Sequence, residues 1–396
     1  MSLKWKSCKI GDVVSVRRGA SPRPIKDYVS ETGMPWVKIA DATKDQTRFI
    51  NFTNEFIKEE GIEKSVVVNP GDLIVSNSAT PGLPKFMNIK ACVHDGWLVF
   101  DSYNGILKDF LYYYFIVIRG QLVNQANGSV FKNLKTDIVR NFDINLPDLE
   151  TQKKIVKILS QIDKKIEINI EINKNLEELM HVLFKKYFID NNPFYVENDE
   201  KWNIIKLKDL IIRNRDKIND FDNWKDELLI DLSNMPRFSI AISNFDKGKK
   251  FTSNIYKLNK YDLLFGSIRP YFGKVGFSPI NGVVTGTVHS FKPIDDIYYS
   301  LVLSLISSKT FINYTVSVSK GTKMPSVKWD DFINYEFAIP DDLSKIGEYN
   351  KILLPLIHKI EKNILEIQRL TKLRDTLLPK LMSGEIDVSK INCDLE

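Results

Sequence analysis

Two carboxylates, each placed directly after a proline, are the first residues in this chain to examine for chemistry. A common type of nuclease site needs a carboxylate followed by Glu-x-Lys, which together hold a metal ion and position a base. No Glu in the sequence has a Lys two residues later, which argues strongly against such a site. Pro147-Asp148 and Pro340-Asp341 stand at equivalent positions before two long helical patterns, so we predict that these carboxylates cap helices.

Other patterns resemble catalytic motifs but depart from them. Gly266 to Lys274 has six residues between its glycines where a phosphate-binding loop has four, and Asn192-Pro193-Phe194-Tyr195 lacks the second proline of the methyltransferase motif Asn-Pro-Pro-Tyr. The histidines are isolated from one another and from the cysteines, and no nucleophile-elbow motif is present. We therefore predict a non-catalytic chain without a metal site. An enzyme whose catalytic residues meet only in space stays open as an alternative.

Basic, amide and aromatic side chains that could read DNA interleave in several loops. Arg and Lys reach guanine edges or phosphates, and Asn reads adenine. The loop Ser267 to Lys274 is the strongest of these, because Arg269 and Lys274 lie close together in a turn directly after a predicted strand. The predicted DNA-contacting residues are Arg17, Arg18, Asn77 and Lys85 in the first half of the chain, and Arg237, Arg269, Tyr271, Lys274 and Lys323 in the second.

The composition is that of an ordinary soluble protein. Of the 396 residues, 43% are hydrophobic, and the net charge of +6 is compatible with nucleic acid without demanding it. No apolar run approaches the ~18 residues that a membrane span needs. The three scattered cysteines form neither a disulfide framework nor a zinc cluster. We expect a cytoplasmic protein with no membrane partner.

An internal repeat organises the elements that must position these loops. Shifting the chain by 194 residues places Lys165-Ile166-Glu167 on Lys359-Ile360-Glu361, and a shift of 193 places Pro147-Asp148 on Pro340-Asp341. A period of this length indicates two whole domains rather than a solenoid. The repeat is clear at its ends and weak in the middle, where divergent loops could face different targets.

Each copy ends in a helix with an apolar stripe on a 3.5-residue period, which is typical of a coiled coil. Two equal stripes in one chain favour pairing with each other over packing on separate domains. Asn169 and Asn363 occupy equivalent stripe positions, so antiparallel pairing should bring them together and let them set the register. The predicted spacer and register residues are Ile162, Ile166, Asn169, Asn173, Leu176, Leu356, Ile360, Asn363, Ile367 and Leu370.

The predicted fold class is α+β, with two α/β recognition domains each followed by a long helix, and with the helices pairing as an antiparallel coiled coil of pseudo-twofold symmetry. In the first domain, short β-rich runs such as Asp12 to Val16 predict strands. The predicted boundaries are domain one at 1–147, a spacer helix at 148–189, a linker at 190–200, domain two at 201–340, a second spacer helix at 341–384 and a tail at 385–396.

The segment Leu146 to Ile155 resembles the Pro-x-x-Glu-Gln helix start of the specificity subunits of type I restriction-modification systems, the HsdS family. Asp262-Leu263-Leu264-Phe265 is similar to the Asp-Ile-Leu-Phe turn of that family. The resemblance covers nearly the whole chain. The second helix departs from it, because Asp341 to Ile346 lacks the Glu-Gln pair.

The resemblance implies a non-catalytic subunit whose two target-recognition domains each read half of a split site in double-stranded DNA. It also implies docking of two modification subunits, which bind S-adenosylmethionine and methylate adenine, and sometimes of restriction subunits that use ATP and Mg. Half-sites on one face of DNA lie roughly 34–36 Å apart, which leaves about six unread base pairs if each half takes about four. A coiled-coil scaffold without sequence-specific DNA binding is the alternative from another class.

Overall fold

A computed structural model describes residues 5–44, 47–127, 133–190, 201–219, 223–248 and 254–389. The chain divides into two compact units, one formed by Met1–Lys164 with Thr371–Glu396 and the other by Lys165–Leu370. Beyond residue 190 the predicted linker lies outside the described residues, as does the predicted tail beyond residue 389. Among the described residues, no helix is long and apolar enough to cross a lipid bilayer.

The first domain is built from short strands and helices that lead into one long helix. In chain order these are β1 (Lys6–Lys9), α1 (Ile10–Val13), β2 (Ser15–Arg18), β3 (Val29–Ser30), β4 (Met34–Val37), α2 (Ile39–Lys44), β5 (Phe49–Ile50), β6 (Glu55–Ile57), α3 (Glu59–Ile62), β7 (Val66–Val68), β8 (Leu73–Ser76), β9 (Pro84–Met87), β10 (Ala91–Val93), β11 (Trp97–Asp101), α4 (Lys108–Asn127), α5 (Thr136–Arg140), β12 (Asp143–Leu146) and α6 (Leu149–Phe188).

The second domain has a similar order of elements. They are β13 (Trp202–Lys206), β14 (Ile211–Arg213), β15 (Leu228–Ile230), β16 (Asp246–Lys247), β17 (Ile255–Leu258), β18 (Leu263–Gly266), β19 (Val275–Phe277), β20 (Gly282–Thr285), β21 (Val288–Pro293), α7 (Tyr299–Ser307), α8 (Lys309–Ser317), α9 (Trp329–Ile333), β22 (Glu336–Pro340) and α10 (Leu343–Met382).

Over the part of the chain that the structure describes, the sheet topology of the second domain repeats that of the first with one edge strand fewer in each of the two larger sheets, and the repeat includes the middle, where the sequences share little. In the described residues of the first domain the sheets run β3-β6-β4-β10-β7, β2-β11-β8-β9-β5 and β1-β12. In those of the second they run β16-β15-β20-β17, β14-β21-β18-β19 and β13-β22. The parallel pair β4 and β10 has its counterpart in β15 and β20. The fold prediction of two α+β domains, each followed by a long helix, is confirmed.

Each long helix contributes to the core beneath its own domain. Ile155 and Leu159 of α6 are fully buried among Phe110, Leu111 and other residues of the first domain. In the second unit, Tyr349 and Leu353 of α10 are fully buried in the core of the second domain. Each such buried side chain stabilises the folded state by about 1.5–3 kcal/mol. The helix and the domain therefore share one hydrophobic core.

The two helices also pack on each other, and in the second unit they run antiparallel. Residues later in α6 meet residues earlier in α10: the Tyr187 and Tyr349 rings lie 5.4 Å apart, whereas Asn173 bonds to Asn363. Of the predicted stripe, Ile166, Asn169, Asn173, Ile360, Asn363 and Ile367 are buried. The other four, Ile162, Leu176, Leu356 and Leu370, are only half-buried.

The buried stripe therefore departs from the strict coiled-coil pattern, and that part of the prediction needs correction. Asp163, Glu177 and Ile357, each one residue after a predicted position, are the more buried side chains. Each helix packs on a domain as well as on the other helix, so its buried face is wider than a coiled-coil seam. Both carboxylates have hydrogen-bond partners in the unit to which they belong, since Tyr113 of the first domain donates to Asp163 and Ser239 of the second domain donates to Glu177.

The capping prediction is correct for one helix and wrong for the other. Asp148 caps α6, since its Oδ1 accepts from Thr151 N at 2.8 Å, and this bond lowers the pKa of the carboxyl. At α10 the cap is Asp342, which accepts from Ser344 N at 2.9 Å. Asp341 instead accepts from the Asn203 amide at 2.7 Å, because α10 begins one residue later relative to its preceding proline.

An amide side chain joins each long helix to residues at or just before the start of a helix of a domain, α4 in the first domain and α7 in the second. Buried Gln152 of α6 donates to Gly105 O at 3.0 Å and accepts from Leu107 N at 2.8 Å. Asn350 of α10 donates to Asp296 O at 3.0 Å and accepts from Ser300 N at 3.2 Å. Glutamine and asparagine thus form the same brace from different turns of the two helices.

A local strand prediction also fails. Asp12 to Val16 was expected to be one strand, but Ile10–Val13 forms the short helix α1, and β2 starts only at Ser15. Asp12 accepts a hydrogen bond from Lys9 N at 2.8 Å, which favours a helical turn at this point. Local side-chain to backbone bonding of this kind competes with strand pairing.

Candidate nucleic-acid interface

Three loops of the second domain meet at one basic and aromatic surface. They follow β15, follow β18 and precede α9, and they bring together Arg237, Phe238, Arg269, Tyr271, Phe272, Lys323 and Met324, which we call the second-domain surface. Arg237, Arg269, Tyr271 and Lys323 are exposed there. Four of the five predicted contacts in this domain therefore share one surface.

Backbone hydrogen bonds position Arg269 between two of these loops. Its φ of 51° is left-handed, an uncommon conformation for a residue with a side chain. Arg269 N donates to Pro325 O at 2.6 Å, and its Nη2 donates to Lys323 O at 3.5 Å. A bridge between Lys320 and Ser326 closes the neighbouring loop. The guanidinium is thus presented by a defined turn.

Aromatic rings support a second cationic group of this surface, Arg237. The Arg237 guanidinium carbon lies 3.7 Å from the centre of the Phe272 ring, and that ring lies 4.6 Å from the ring of Tyr271. A guanidinium over a ring is electrostatically favourable and keeps its N–H groups available at the rim. The arrangement can bind phosphate and present flat apolar faces at the same time.

Lys274 differs from the exposed candidates. Its side chain is half-buried, and its Nζ donates to the carbonyl oxygen of Leu232. Burial, together with the nearby Arg237, lowers the pKa of this amine. Its observed bond joins the loop after β18 to the loop after β15, so Lys274 holds the second-domain surface together.

The first-domain candidates divide into two pairs. Arg17 and Arg18 are exposed on β2, where Arg17 Nε lies 2.7 Å from Asp101 Oδ2 and Arg18 Nη2 lies 3.4 Å from Asp95 Oδ2. Exposed ion pairs of this kind contribute only about 0–1 kcal/mol, so phosphate can compete for the arginines. Both remain placed where DNA could reach them.

Asn77 and Lys85 point into the first domain instead. They are 3% and 5% exposed, and their side chains donate to the carbonyl oxygens of Asp95 and Thr47. Base contacts by these two residues would require their side chains to leave the interior. Asn77 directly follows β8, whereas Lys85, which was predicted in a loop, lies on β9 (Pro84–Met87), and the sequence pattern does not show which way either side chain points.

The loop after β8 and the loop after β18 are built on the same scaffold. Asn77 N donates to Gly96 O and Ser267 N to Thr287 O, while Leu134 N donates to Asn77 O and Val327 N to Ser267 O. Two residues further on, Ala79 has φ 56° and Arg269 has φ 51°. Equivalent positions thus carry a methyl group in one domain and a guanidinium in the other. The first-domain counterpart of the Lys323 loop, residues 128–132, lies outside the described residues.

Sequence reasoning missed several residues of this region. Phe238 and Met324 are 63% and 58% exposed beside the predicted cations. Arg215, which follows β14, lies where Arg18 lies in the first domain, and its guanidinium carbon is 5.8 Å from the Tyr256 ring centre. The pairing of β14 with β21, which matches the pairing of β2 with β11, reveals this equivalence.

The predicted register residues are brought together in part. In the second unit, Asn363 Nδ2 donates to Asn173 Oδ1 at 2.8 Å, and Asn169 Nδ2 donates to Glu366 Oε2 at 3.0 Å. The expected contact between Asn169 and Asn363 is thus replaced by bonds to neighbours about one turn away. Among the described residues, no group of three or more His, Cys, Asp or Glu side chains is placed to hold a metal ion.

Comparisons with known proteins agree with this architecture. Residues 2–178 match the family model described as type I restriction modification DNA specificity domain. The chain is 26% identical over 418 residues to the type I restriction enzyme MjaIX specificity subunit of Methanocaldococcus jannaschii, covering 98% of this chain and 94% of that one. It is 23% identical over 427 residues to the MjaVIII specificity subunit of the same organism, with the same coverage.

A solved structure shares the fold. The type I restriction-modification system S subunit from M. genitalium superposes with a TM-score of 0.60 at 14% identity, covering 96% of each chain. The similarity extends over both domains and both long helices of the present chain.

Proposed function

We propose that the chain is a specificity subunit of a type I restriction-modification system and selects the DNA sequence on which partner subunits act, because residues 2–178 match the family model of such specificity domains and the MjaIX specificity subunit is similar over 98% of the chain. Its two domains each read one half of a split, asymmetric site in duplex DNA. The observation that carries this proposal is the repeated loop scaffold, which presents Ala79 in one domain and Arg269 in the other. One scaffold with different side chains suits two different half-sites.

The second-domain surface supplies the chemistry that such reading needs. Arg237, Arg269 and Lys323 match the charge of phosphates or the acceptors of guanine, and a bidentate arginine contact discriminates against a wrong base by about 1–3 kcal/mol. In the first domain, the exposed arginines Arg17 and Arg18 supply the positive charge for contacts with phosphates or guanine. Asn77, Lys85 and Lys274 support the loops rather than reach the DNA in the conformation described.

The paired helices serve in this proposal as the spacer and as the docking site for two modification subunits. Those subunits bind S-adenosylmethionine and methylate adenine, and restriction subunits that use ATP and Mg can join them. The chain itself contributes recognition without catalysis or a cofactor of its own, and it acts in the cytoplasm.

Copurification and methylome sequencing test the proposal together. The tagged chain is expressed with its partner methyltransferase subunit, and genomic methylation is mapped in cells with and without the chain. We expect a stable complex and methylation at one split motif that depends on the chain. A bound methyltransferase without any motif would favour the scaffold alternative, and methylation by the chain alone would favour an unrecognised enzyme.

A further inference from the structure

Phe238 is an exposed aromatic residue in an unusual backbone conformation. Its side chain is 63% exposed, and its φ is 52°, in the left-handed region. A bulky residue rarely adopts this conformation, and such outliers persist where the surroundings enforce them. An apolar ring that is both strained into place and left in solvent calls for a functional explanation.

Both long helices bond to the segment that carries Phe238. Phe238 N donates to Gly273 O at 2.9 Å. Directly after it, Ser239 Oγ and Ile240 N donate to the two carboxylate oxygens of Glu177 at 2.8 and 3.1 Å. Glu177 is a residue of α6 with 8% exposure. Further along the same segment, Gln368 of α10 donates to Ser243 O at 3.0 Å. The turn is therefore bonded to α6 through the residues that directly follow Phe238, and the segment after it is bonded to α10 through Ser243.

The surroundings of the ring combine a close backbone with positive charge. A Cβ at Gly273 would stand 2.6 Å from the Phe238 ring, so glycine is needed to let the ring lie over this loop. The flanking side chains are Arg237 over Phe272 and the exposed Tyr271. The acidic neighbour Asp231 is buried and accepts hydrogen bonds from Ser233. The surface around the ring is thus basic at its rim and aromatic at its centre.

We propose that Phe238 is a wedge that inserts into the base stack of duplex DNA at the second-domain half-site, and that Glu177 is the positioning residue that holds it. The inference rests on the proposed function and adds a means of deforming the site. Proteins that kink DNA insert apolar side chains such as phenylalanine between base steps and contact the same DNA through arginine and lysine. Arg237 and Arg269 supply those cationic groups here, whereas an apolar protein partner would leave their charge unmatched.

Insertion would also provide specificity without base-edge hydrogen bonds. Pyrimidine–purine steps unstack more easily than other steps, so a wedge selects for sequence through deformability. Glu177 couples this contact to the spacer helix, because the residues that follow Phe238 are bonded to α6. The half-site read by the second domain should therefore contain one step whose unstacking depends on Phe238.

Base-stack fluorescence tests the wedge on the complex of the full chain with its methyltransferase subunit. The probe is a duplex carrying the motif that the wild-type complex methylates, with 2-aminopurine placed at each position in turn. We expect increased fluorescence at one step in one half-site, separate from the methylated adenine. Phe238→Ala should abolish that signal and weaken binding about tenfold, in line with the loss of one base-stacking contact. Phe238→Trp should retain both.

Control variants separate the wedge from general damage. Ile294 is 50% exposed in the same unit, and Ile294→Ala should leave signal and affinity unchanged. Glu177→Ala should lose the fluorescence signal but keep affinity for DNA lacking the motif, and Glu177→Gln, which retains one carbonyl acceptor, should recover part of the signal. A Glu177→Ala variant with a wild-type signal would overturn the positioning role.

Three results would overturn the wedge itself. The first is a Phe238→Ala variant with wild-type fluorescence signal and DNA affinity. This result would overturn the wedge but not the proposed function, because the motif would still be methylated. Release of the methyltransferase subunit by Phe238→Ala would assign the ring to a protein interface. A wild-type complex that methylates no split motif would remove the proposed function and the wedge with it.

Discussion

Asn363 of α10 donates a hydrogen bond from its Nδ2 to Oδ1 of Asn173 of α6, at 2.8 Å, and the two residues are 1% and 3% exposed. Within the described residues, Asn363 Oδ1 is buried and has no hydrogen-bond partner. A polar pair in an apolar helix contact lowers stability but favours one alignment, since a shifted helix would leave both amides facing hydrocarbon. We propose this pair, with Asn169, as the register device.

Replacing one member of the asparagine pair should cost more than replacing both. In Asn363→Leu the Asn173 side chain remains buried without its donor, which should lower the free energy of unfolding by about 1–3 kcal/mol. Asn173→Leu with Asn363→Leu should recover most of that loss. Urea unfolding in a double-mutant cycle measures the difference, and additive effects would contradict the pairing. The double variant should also methylate motifs of more than one spacer length.

Asp163 should be the most sensitive carboxylate of the first unit. It is 3% exposed, accepts from Arg374 Nη1 at 3.0 Å and from Tyr113 Oη at 2.6 Å, and lies 3.9 Å from Arg48 Nε. Asp163→Ala removes the carboxylate from partly buried cations and should cost about 3–5 kcal/mol. The matched control is Asp375→Ala, because Asp375 binds the same arginine but has a side chain that is 57% exposed.

The control variant Asp375→Ala should change the free energy of unfolding by less than about 1 kcal/mol. Urea denaturation of both variants and the wild type gives the comparison. Equal losses in the two variants would show that burial does not decide the strength of these ion pairs.

Glu177 should make stability depend on pH. Burial raises the pKa of its carboxyl from 4.5 to about 7, despite the hydrogen bonds from Ser239 and Ile240. Between those values the folded chain binds more protons than the unfolded chain, so the stability contributed at this residue falls as pH rises. The loss of stability that comes from ionising this buried carboxyl is absent below about pH 4.5 and complete above about pH 7.

Glu177→Gln should remove this dependence. Its free energy of unfolding relative to the wild type should increase from pH 4 to pH 8 by up to about 3 kcal/mol, the equivalent of the pKa shift. Urea unfolding at both pH values provides the measurement. A constant difference between the two proteins would mean that Glu177 ionises normally in the folded chain.

Arg269 and Lys85 should respond differently to loss of charge. Arg269→Ala should relax the methylated motif in one half-site only, because an exposed guanidinium on a defined turn can read a base. Lys85→Met should leave the motif unchanged and act through stability, since Lys85 is 5% exposed. Methylome sequencing with each variant tests both. If Arg269→Ala instead lowers methylation to the same extent on all sequences, Arg269 contacts a phosphate rather than a base.

The sequence was sufficient for the large features of this fold, because they rest on long patterns. The repeat of Pro147-Asp148 at Pro340-Asp341 located both helix joins, and the apolar stripes identified both helices. The sequence does not show the direction of a side chain. Lys85 and Arg269 are both cationic, and only the hydrogen bond from Lys85 to the Thr47 carbonyl shows that one of them points inward. The one-residue difference between the caps Asp148 and Asp342 likewise depends on a strand contact made by Asn203.

The wedge residue Phe238 was missed for a related reason. Its segment, Phe238 to Ile242, is apolar apart from Ser239, and Ile240 and Ile242 are buried. The left-handed turn that turns one member of this run toward solvent depends on Glu177, some sixty positions away in the chain. No local pattern carries that information.

The amide braces at Gln152 and Asn350 have a mechanical consequence. A strand that enters a helix through a free dipeptide would act as a hinge, and thermal motion of the domain would be absorbed there. Each brace instead bonds the first turns of the helix to the domain through both atoms of an amide. The domain and the beginning of the helix should therefore move together as one rigid unit. If a subunit docks on the helices as proposed, a force that it applies to a helix would then be transmitted to the candidate DNA-contacting loops.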